Sequence, residues 1–444
     1  MANPEPLPAG GTTREEIAQI EVGHTIVSPA TARVLLLFFV TAIVAVPIVE
    51  WFGTRAARTR GESTAWAHLT KVPGEMVSQL AGASEDDGPW RRTVLVNRTV
   101  LAGLSGFERA LENDSLLGHA LRAPAQLFLT GWLGAGNERV YPGLSGWVFY
   151  RPDVEHVTGR GFLDPRELRR RVEAVPEWTT PPASDPRPAI VQFKNDLAAR
   201  GVVLIVMPVP VKPSVHPEKL SRRYEGSSAP LQNPSFTGFV QDLRRQGVVV
   251  FDPASSLARH RADGPQYLAT DTHWRPEAVE AAAEELGRLV NAVPLPDVAA
   301  PGYRIQRVET RNTGDAARML DLPETASLIP AETVWLRRVL NPDGTPWRSD
   351  RAADVLLLGD SFTNIYSLES MGWGTSAGLA EQVSHVLGRP LDRLVQNDEG
   401  AFATRAMLQR EPQRLDGKRV VIYQFAAREL SFGDWKIIRV GDSR

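Results

Sequence analysis

The stretch Val355-Leu-Leu-Leu-Gly-Asp-Ser361-Phe-Thr-Asn364 joins a short apolar run to a Gly-Asp-Ser turn and then to a segment compatible with a helix. A strand that is buried on both faces of a parallel sheet has this kind of uninterrupted apolar sequence. Ligands of such sheets bind at the carboxyl ends of the strands. The stretch therefore predicts that Ser361 lies at the mouth of an α/β sheet, where a helix N-terminus favours developing negative charge.

The Gly-Asp-Ser turn has two interpretations. Asp360 or Ser361 can simply cap the helix, which is the common role of these residues at a strand-to-helix turn. Alternatively, Ser361 is a nucleophile, which requires a general base and an acid that orients the base. The turn alone favours the capping role, so the second interpretation depends on a suitable histidine elsewhere in the chain.

The segment Asp271-Thr-His273-Trp274 supplies such a histidine together with an acid. Residues two apart on an extended segment project from the same face, so Asp271 can fix the tautomer of His273 while the other ring nitrogen faces Ser361. A helix is predicted from Pro276, since proline suits a first helical turn. His216 and His260 are predicted to lie at the surface.

The rest of the C-terminal half alternates between helices and short apolar strands. Apolar runs predict strands at 202–207, 248–251, 355–358, 391–395 and 420–425. Helices are predicted at 190–199 and 236–245, each followed by a glycine. This alternation indicates an α/β layered domain with a parallel sheet flanked by helices. Residues 300–350 break the rhythm, with strand-like segments at 303–308 and 334–339, and are predicted to be an insertion at the rim of the sheet.

Composition excludes several functional classes. The formal net charge of the 444 residues is −2, so there is no excess of cationic side chains to neutralise nucleic-acid phosphates. The chain has no cysteine, which excludes disulfides, thiolate nucleophiles and cysteine-based zinc sites. No metal site is evident, and no glycine-rich phosphate loop is present, so we expect neither a metal nor a directly bound cofactor.

Near the N-terminus, residues 34–49 carry no charge, and Trp51 and Phe52 extend the run. With them it approaches the roughly 20 residues that a helix needs to cross a bilayer. We interpret 34–52 as a membrane anchor between a polar head, 1–33, and a helical stalk or cap, 53–140. A cleaved signal peptide, a buried core helix and an amphipathic surface helix are the alternatives. The arginines that follow the run favour the opposite orientation to an exported domain.

Several motifs, in the order in which a known family has them, carry a resemblance to that family. They are TDTHW (270–274), LLLGDSFTNIYS (356–367), VIYQFAAREL (421–430), GWVFY (146–150), PVPVKP (208–213) and NTGDAARML (312–320). Together they resemble the alginate O-acetyltransferase family of the AlgJ/AlgX type, which has a circularly permuted SGNH-hydrolase-like fold. The resemblance covers about 141–435, within a predicted domain at 141–440, and is closer to the membrane-anchored AlgJ type. Tyr423 departs from it, since many relatives have tryptophan in the last strand.

The resemblance implies a role for each of three residues: Ser361 as the acetyl-accepting nucleophile, His273 as the general base and Asp271 as its orienting acid. It also implies a single-pass protein of the bacterial inner membrane whose catalytic domain lies in the periplasm. A membrane-bound O-acyltransferase would supply the acetyl group, and an exported polysaccharide would accept it.

Other residues are weaker candidates for contact with the reacting groups. The Ser361 N–H and the Asn364 side chain are candidates for binding the oxyanion. Aromatic side chains can stack on sugars or pack in the core, and those considered are Trp274, Tyr366, Trp373, Tyr423 and Trp435. Arg405 and Arg428 can bind a uronic-acid carboxylate or form ordinary ion pairs.

Three functions are therefore compatible with the sequence. The first is two-step acetyl transfer through an acetyl-Ser361 intermediate onto a polysaccharide hydroxyl. A carbohydrate acetyl esterase would use the same three residues with water as acceptor. A non-catalytic glycan-binding scaffold would explain the fold, but not why Asp271, His273 and Ser361 occur together.

Overall fold

The computed structural model describes residues 28–441, apart from 59–64, 83–87, 115, 176–179, 324–325 and 327. Most of the predicted polar head lies outside the described residues. The chain forms two compact units that divide between Ala123 and Pro124. The domain boundary predicted at 140/141 from the sequence stays a prediction.

The N-terminal unit is helical where it is described. Its helices are α1 (Pro29–Arg58), α2 (Ala65–Ala81), α3 (Pro89–Asp114) and α4 (Leu116–Leu133), the last of which contains the division between the units. By length and composition, α1 is long and apolar enough to cross a membrane, and its most apolar window, Pro29–Val46, has no buried residue. This helix includes the segment interpreted as an anchor.

The C-terminal unit is built around a parallel β-sheet. The strands of this unit are β1 (Val140–Pro142), β2 (Val148–Tyr150), β3 (Val203–Val209), β4 (Val249–Val250), β5 (Arg304–Asn312), β6 (Glu332–Leu340), β7 (Val355–Gly359), β8 (Asp392–Val395) and β9 (Val420–Ala426). Five of them form the parallel sheet, in the order β4-β3-β9-β7-β8. The five sheet strands predicted from apolar runs are confirmed.

Helices cover both faces of this sheet. The helices of this unit after α4 are α5 (Arg151–Thr158), α6 (Pro165–Glu173), α7 (Pro186–Ala198), α8 (Lys212–Val215), α9 (Pro217–Leu220), α10 (Phe236–Arg245), α11 (Ala254–His260), α12 (Pro276–Asn291), α13 (Asp315–Arg318), α14 (Ser361–Asn364), α15 (Leu379–Leu387), α16 (Ala403–Arg410) and α17 (Glu429–Phe432). Helix α7 begins four residues earlier than predicted, because Pro186 occupies its first position and the Asp185 side chain accepts the Arg187 N–H.

Alternating strand residues face two separate cores. Leu357 and Ile422 belong to the core that contains α12 and α15, whereas Leu358 and Tyr423 belong to the core that contains α7 and α10. Because both faces are covered, the central strands are apolar throughout. Each Å² of apolar surface that is buried against the sheet stabilises the fold by about 25 cal/mol. The sheet is therefore a rigid support for the elements at its carboxyl edge.

The predicted insertion is an antiparallel pair of strands, β5 and β6, separate from the main sheet. Each strand is nine residues long and extends beyond the predicted segments. The connection between them contains α13, which begins at Asp315. The Ala317 N–H donates to the carbonyl of Thr270, so the insertion contacts the segment that carries Asp271 and His273.

Candidate active site

Strand β7 ends at Gly359, and α14 begins two residues later at Ser361. Asp360 caps this helix, because one of its carboxylate oxygens accepts the Phe362 N–H at 2.9 Å. The other oxygen accepts the N–H of Ala426 at 2.7 Å. A Cβ atom at Gly359 would clash with the side chains of Thr363 and Gln424, so only glycine permits this tight turn. Capping is therefore the role of Asp360, which leaves the Ser361 hydroxyl free for another partner.

That partner is His273. Its Nε2 atom lies 2.8 Å from Ser361 Oγ, and its Nδ1 atom lies 2.6 Å from Asp271 Oδ1. The His273 N–H also donates to the same Asp271 oxygen at 3.1 Å. The structure thus brings together the acid, imidazole and hydroxyl in the order required for proton transfer from serine to histidine.

The second carboxylate oxygen of Asp271 accepts two hydrogen bonds, which hold the side chain in place. Trp373 Nε1 donates to Oδ2 at 2.8 Å, and the Asp315 N–H donates to the same atom at 3.0 Å. A Cβ atom at Gly314 would clash with the Asp271 backbone and Cβ, so glycine allows the insertion to approach this closely. Burial alone would raise the pKa of Asp271, but the hydrogen bond and charge of His273 and the donated N–H groups hold it below its usual range.

Asp315 is a second carboxylate beside the histidine, and it was missed by the sequence reasoning. Its two oxygens accept the Thr272 N–H and hydroxyl, both at 2.7 Å, and Oδ2 lies 3.9 Å from His273 Nδ1. Burial and the nearby charge of Asp271 raise the pKa of Asp315. The only signal in the sequence was its position in the NTGDAARML motif, which was not connected with the site.

The two carboxylates determine the protonation behaviour of His273. Burial lowers its pKa, but the hydrogen bond and charge of Asp271 and the charge of Asp315 outweigh burial, so the pKa lies above its ordinary value. Arg428 opposes this increase. One potential ligand atom from each of Asp271, His273 and Asp315 lies within 4.8 Å of the others. Both Asp271 oxygens already accept N–H groups, which disfavours a metal ion at this carboxylate.

Three aromatic residues that were candidates for sugar stacking instead support the site from the core. Trp274 is fully buried and donates from Nε1 to the Phe362 carbonyl at 3.0 Å. The buried Tyr366 hydroxyl donates to the Trp274 carbonyl at 2.7 Å. Trp373 is also buried, against Asp271. The interpretation of these three side chains as sugar-binding is wrong, because no face of their rings is exposed. The alternative interpretation, that they pack in the core, is correct.

Tyr423 and Trp435 lie in the core on the opposite face of the sheet. The Tyr423 hydroxyl donates to the Ala401 carbonyl, and the Trp435 Nε1 donates to the Glu429 carbonyl at 2.9 Å. Arg405 is fully buried beside them and donates to Tyr423 and to the Lys436 carbonyl. Tyr423 borders the cleft at the carboxyl ends of the strands but is only 1% exposed, and all three side chains are buried in structural contacts, which corrects their suggested substrate contacts.

Arg428 lies close to the site but has a buried ion-pair partner. Its NH1 group donates to Asp153 Oδ1 at 3.1 Å, and its guanidinium lies 5.7 Å from the centre of the Phe362 ring. Asp153 is fully buried, and burial raises its pKa although Arg428 acts in the opposite direction. The ion-pair interpretation of Arg428 holds, and its charge also acts on His273.

A small cleft of about 40 Å³ lies at the carboxyl ends of β7, β8 and β9. Its lining includes Asp360, Asn397, Asp398, Thr404 and Arg428. These side chains are mostly polar, and the cleft adjoins the turn that carries Ser361.

Asn364, the oxyanion candidate, is half-buried one helical turn after Ser361. Its side-chain amide donates one hydrogen bond to Asn397 Oδ1 at 2.8 Å. Positions three apart lie on neighbouring parts of a helix surface. The Ser361 N–H is one of the first N–H groups of α14 and has no acceptor within that helix.

A buried lysine fixes the segment before Asp271. Lys212 Nζ donates to the carbonyls of Val148 at 2.6 Å and Ala269 at 3.1 Å. Burial lowers the pKa of Lys212 to about 8, although Asp271 and other carboxylates oppose the decrease. Lys212 belongs to the PVPVKP motif, but nothing in that motif indicates a buried lysine.

Three other histidines provide a comparison with His273. His156 Nδ1 lies 2.7 Å from Ser431 Oγ, but within the described residues no carboxylate pairs with His156. Burial and the charge of Arg428 lower the pKa of His156 to about 3.

His216 was predicted to lie at the surface, and this is wrong: its ring is buried against Trp147, and Nε2 accepts the Gln266 N–H. The prediction that His260 is exposed is confirmed.

A parallel α/β sheet with a serine, a histidine and an acid at its carboxyl edge is the arrangement of several classes of serine hydrolase and acyltransferase, and the family match below identifies this one as an SGNH-hydrolase-like domain. Residues 141–427 match the family described as SGNH hydrolase-like domain, acetyltransferase AlgX, and the chain belongs to this family.

The chain is similar to proteins named probable alginate O-acetylase AlgJ. The Pseudomonas aeruginosa relative is 26% identical over 244 residues, which is 53% of this chain and 61% of the relative. The Azotobacter vinelandii relative is 24% identical over 252 residues, which is 54% of this chain and 62% of the relative. The chain thus spans about three fifths of the length of these two curated relatives.

The solved O-acetyltransferase domain of Pseudomonas putida AlgJ has the same fold, with a TM-score of 0.51 and 19% identity. The match covers 66% of this chain and 92% of that domain.

Proposed function

We propose that the protein is an O-acetyltransferase that moves an acetyl group through Ser361 onto hydroxyls of an exported polysaccharide of the alginate type. The observation that carries the proposal is the continuous pair of contacts from Asp271 to His273 and from His273 to Ser361, at 2.6 and 2.8 Å. Membership of the acetyltransferase AlgX family and the names of the AlgJ relatives support the reaction and the substrate class.

In the first step, the Ser361 hydroxyl attacks the carbonyl carbon of an acetyl ester while His273 Nε2 accepts its proton. Asp271 keeps the proton of the neutral imidazole on Nδ1 and stabilises the imidazolium that forms. The Ser361 N–H and the Asn364 side chain bind the oxyanion, and the donor's alcohol leaves with the proton from His273. In the second step, His273 deprotonates a sugar hydroxyl, which attacks acetyl-Ser361, and His273 returns that proton to the departing Ser361 oxygen as the acetylated sugar forms.

The acceptor sugar lies at the mouth of the polar cleft beside the Ser361 turn, which Asn397, Asp398, Thr404 and Arg428 line, because the cleft itself, at about 40 Å³, is too small to enclose a sugar. Transfer requires the sugar hydroxyl to reach the acyl-enzyme before water does. Ser361 is half-buried and its neighbour Phe362 is fully buried, which limits the access of water to the acetyl group on Ser361.

We further propose that α1 anchors the protein in the bacterial inner membrane, with the C-terminal unit in the periplasm. The length and apolar composition of α1 support the anchor. The acetyl group would come from a membrane-bound O-acyltransferase partner, in keeping with an acceptor that is already exported.

The transfer assay uses the full chain in detergent, a small acetyl ester as donor, and uronic-acid oligosaccharides as acceptor, with Ser361→Ala as control. Acetylated oligosaccharide, detected by mass spectrometry in the wild type alone, supports the proposal. Free acetate without acetylated sugar identifies an esterase, and sugar acetylation that persists in Ser361→Ala contradicts the proposed nucleophile. A glycan-binding scaffold would produce neither product.

A further inference from the structure

Strands β5 and β6 form a two-stranded pair that is rich in positive charge. The two strands contain five arginines and two glutamates, and no lysine or aspartate. One of the glutamates, Glu332, is already bound, because its carboxylate accepts the N–H groups of Ala269 and Thr270 at 2.9 and 2.7 Å. The formal net charge of the whole chain is −2, so this concentration of positive charge is local to the strand pair.

Most of these arginines are exposed and lack an acidic partner. Arg337 pairs with Glu280 of α12 at 3.1 Å. In the part of the chain that the structure describes, Arg304, Arg307 and Arg311 are exposed and form no ion pair. Exposed strands often carry charges that prevent pairing with other chains, but that role does not require charges of one sign. Unpaired guanidinium groups along one strand instead favour a ligand with several negative charges.

An exposed tryptophan lies in the middle of this surface. Trp335 is 44% exposed and lies opposite Glu309, between the positions of Arg307 and Arg311. The guanidinium of Arg307 lies 4.5 Å from the centre of the Trp335 ring. A single exposed tryptophan is ordinary on a protein surface. An aromatic ring beside a guanidinium, however, suits a uronic acid, because the C–H groups of the sugar pack on the ring and the carboxylate pairs with the guanidinium.

The strand pair is attached to the active site at one end. Glu332, which begins β6, binds the backbone immediately before Asp271. At about 3.3 Å per residue, the nine residues of each strand extend about 30 Å from this end. Arg311, Arg307 and Arg304 therefore follow one another away from the catalytic segment, at intervals of about 10–13 Å.

We propose that the β5–β6 basic face, formed by Arg304, Arg307, Arg311 and Trp335, binds a stretch of the acceptor polysaccharide away from the sugar that is acetylated, an inference that rests on the function proposed above. The polymer that fits this face is an extended chain of uronic acids, which carries a carboxylate on each sugar. Each guanidinium can bind a carboxylate through two N–H groups. Because several weak contacts along one polymer act together, the face favours long acceptors over short ones.

Binding is measured by calorimetry on the full chain in detergent without an acetyl donor, so the result does not depend on transfer. The ligands are a uronic-acid disaccharide, a uronic-acid oligosaccharide longer than the strand pair, and the same long oligosaccharide with its carboxyl groups reduced. The variants are Trp335→Ala and the double variant Arg307→Glu with Arg311→Glu. The matched control is Arg166→Glu with Arg169→Glu, because both arginines are exposed on α6 and the change in net charge is the same.

We expect the long uronic-acid oligosaccharide to bind the wild type and the α6 control alike, and to bind the Arg307/Arg311 double variant at least about tenfold more weakly at low salt. Trp335→Ala should also weaken this binding. The disaccharide should bind all variants alike, the reduced oligosaccharide should bind the wild type more weakly than the charged one, and an unchanged urea midpoint shows that the variants are folded.

The inference is overturned if the wild type does not bind the long oligosaccharide, if both strand variants bind it as the wild type does, or if the α6 control loses as much affinity. It is also overturned if inorganic polyphosphate binds as tightly and Trp335→Ala has no effect, since the face is then a general polyanion site. Absence of acetylated sugar in the transfer assay, with these binding differences intact, would contradict the acetyl-transfer proposal alone.

Discussion

The Nε2 atom of His273 lies 2.8 Å from the Oγ atom of Ser361, although 88 residues separate the two in the chain. One residue lies in the connection before α12, and the other begins α14 at the end of β7. The contact depends on the sheet, which holds the Ser361 turn, and on the β5–β6 insertion, which holds Asp271 through the Asp315 N–H. Substitutions at the site and at the residues around it therefore test these dependences separately.

Asp271→Asn should lower kcat/KM by about 10⁴-fold with little change in the fold. Trp373 and the Asp315 N–H both donate to Oδ2, so the asparagine oxygen will take that place. Its NH₂ group will then face His273 Nδ1, which moves the imidazole proton to Nε2 and prevents that atom from accepting the serine proton. Steady-state hydrolysis of an acetyl ester measures the effect, and a loss of less than about tenfold would show that Asp271 does not set the tautomer.

Asp315→Asn should shift the acidic limb of the pH profile of kcat/KM to lower pH. His273 must be neutral to act as a base, so activity rises with pH as its raised pKa is passed. The charge of Asp315 contributes to that increase, and removing it lowers the pKa. Asp263→Asn, whose carboxylate pairs with the exposed His260, is the control and should leave the limb in place. A limb that does not move in Asp315→Asn would remove Asp315 from the electrostatics of the site.

Lys212→Met should destabilise the protein, because the carbonyls of Val148 and Ala269 lose their donor at a cost of about 1–3 kcal/mol each. The difference from wild type should also depend on pH. The folded-state pKa of about 8 lies below the ordinary value of about 10.4 for lysine, so the unfolded state binds more protons between these values. Wild-type stability therefore gains from Lys212 as pH rises through this window.

Urea unfolding at several pH values measures this effect, with Lys194→Met as a matched control on the half-exposed side of α7. The gap in the free energy of unfolding between wild type and Lys212→Met should widen between about pH 8 and about pH 10. A constant gap would mean that Lys212 keeps its ordinary pKa in the folded protein.

Asp398→Lys should lower KM for a uronic-acid oligosaccharide, because it replaces a negative charge in the proposed acceptor cleft with a positive one. KM for a neutral acetyl ester in the absence of sugar should not change. The effect should weaken as salt is added, since the interaction is between exposed charges. An unchanged KM for the oligosaccharide at low salt would place the acceptor outside this cleft.

The sequence predicts the sheet and three central side chains for different physical reasons. The strands are evident because burial on both faces requires uninterrupted apolar runs, as at β7 and β9. Asp271 and His273 are evident because they are near neighbours and belong to a local motif. Asp315 could not be predicted, because its position depends on the approach of Gly314 to Asp271 between segments more than 40 residues apart.

Burial was the other quantity that local patterns could not supply. Trp274 and Tyr366 are compatible with either sugar stacking or the core, and only the packing of α12 and α14 decides for the core. His216 lies between prolines in a segment that resembles a surface loop, but Trp147 and the Gln266 N–H enclose its ring. The interactions of Lys212 also involve backbone carbonyls of distant residues, which have no sequence pattern.

The central claim is that Ser361 carries the acetyl group, and peptide mass spectrometry of the full chain, quenched in acid during turnover of an acetyl ester, tests it most directly. Ser431→Ala is the matched control, because Ser431 also contacts a buried histidine but lacks the carboxylate. We predict an acetyl group on the peptide containing Ser361 in the wild type and in Ser431→Ala, and none in Ser361→Ala, whose activity falls by about 10⁴-fold or more. Acetylation of another residue, or turnover that persists in Ser361→Ala, would contradict the account.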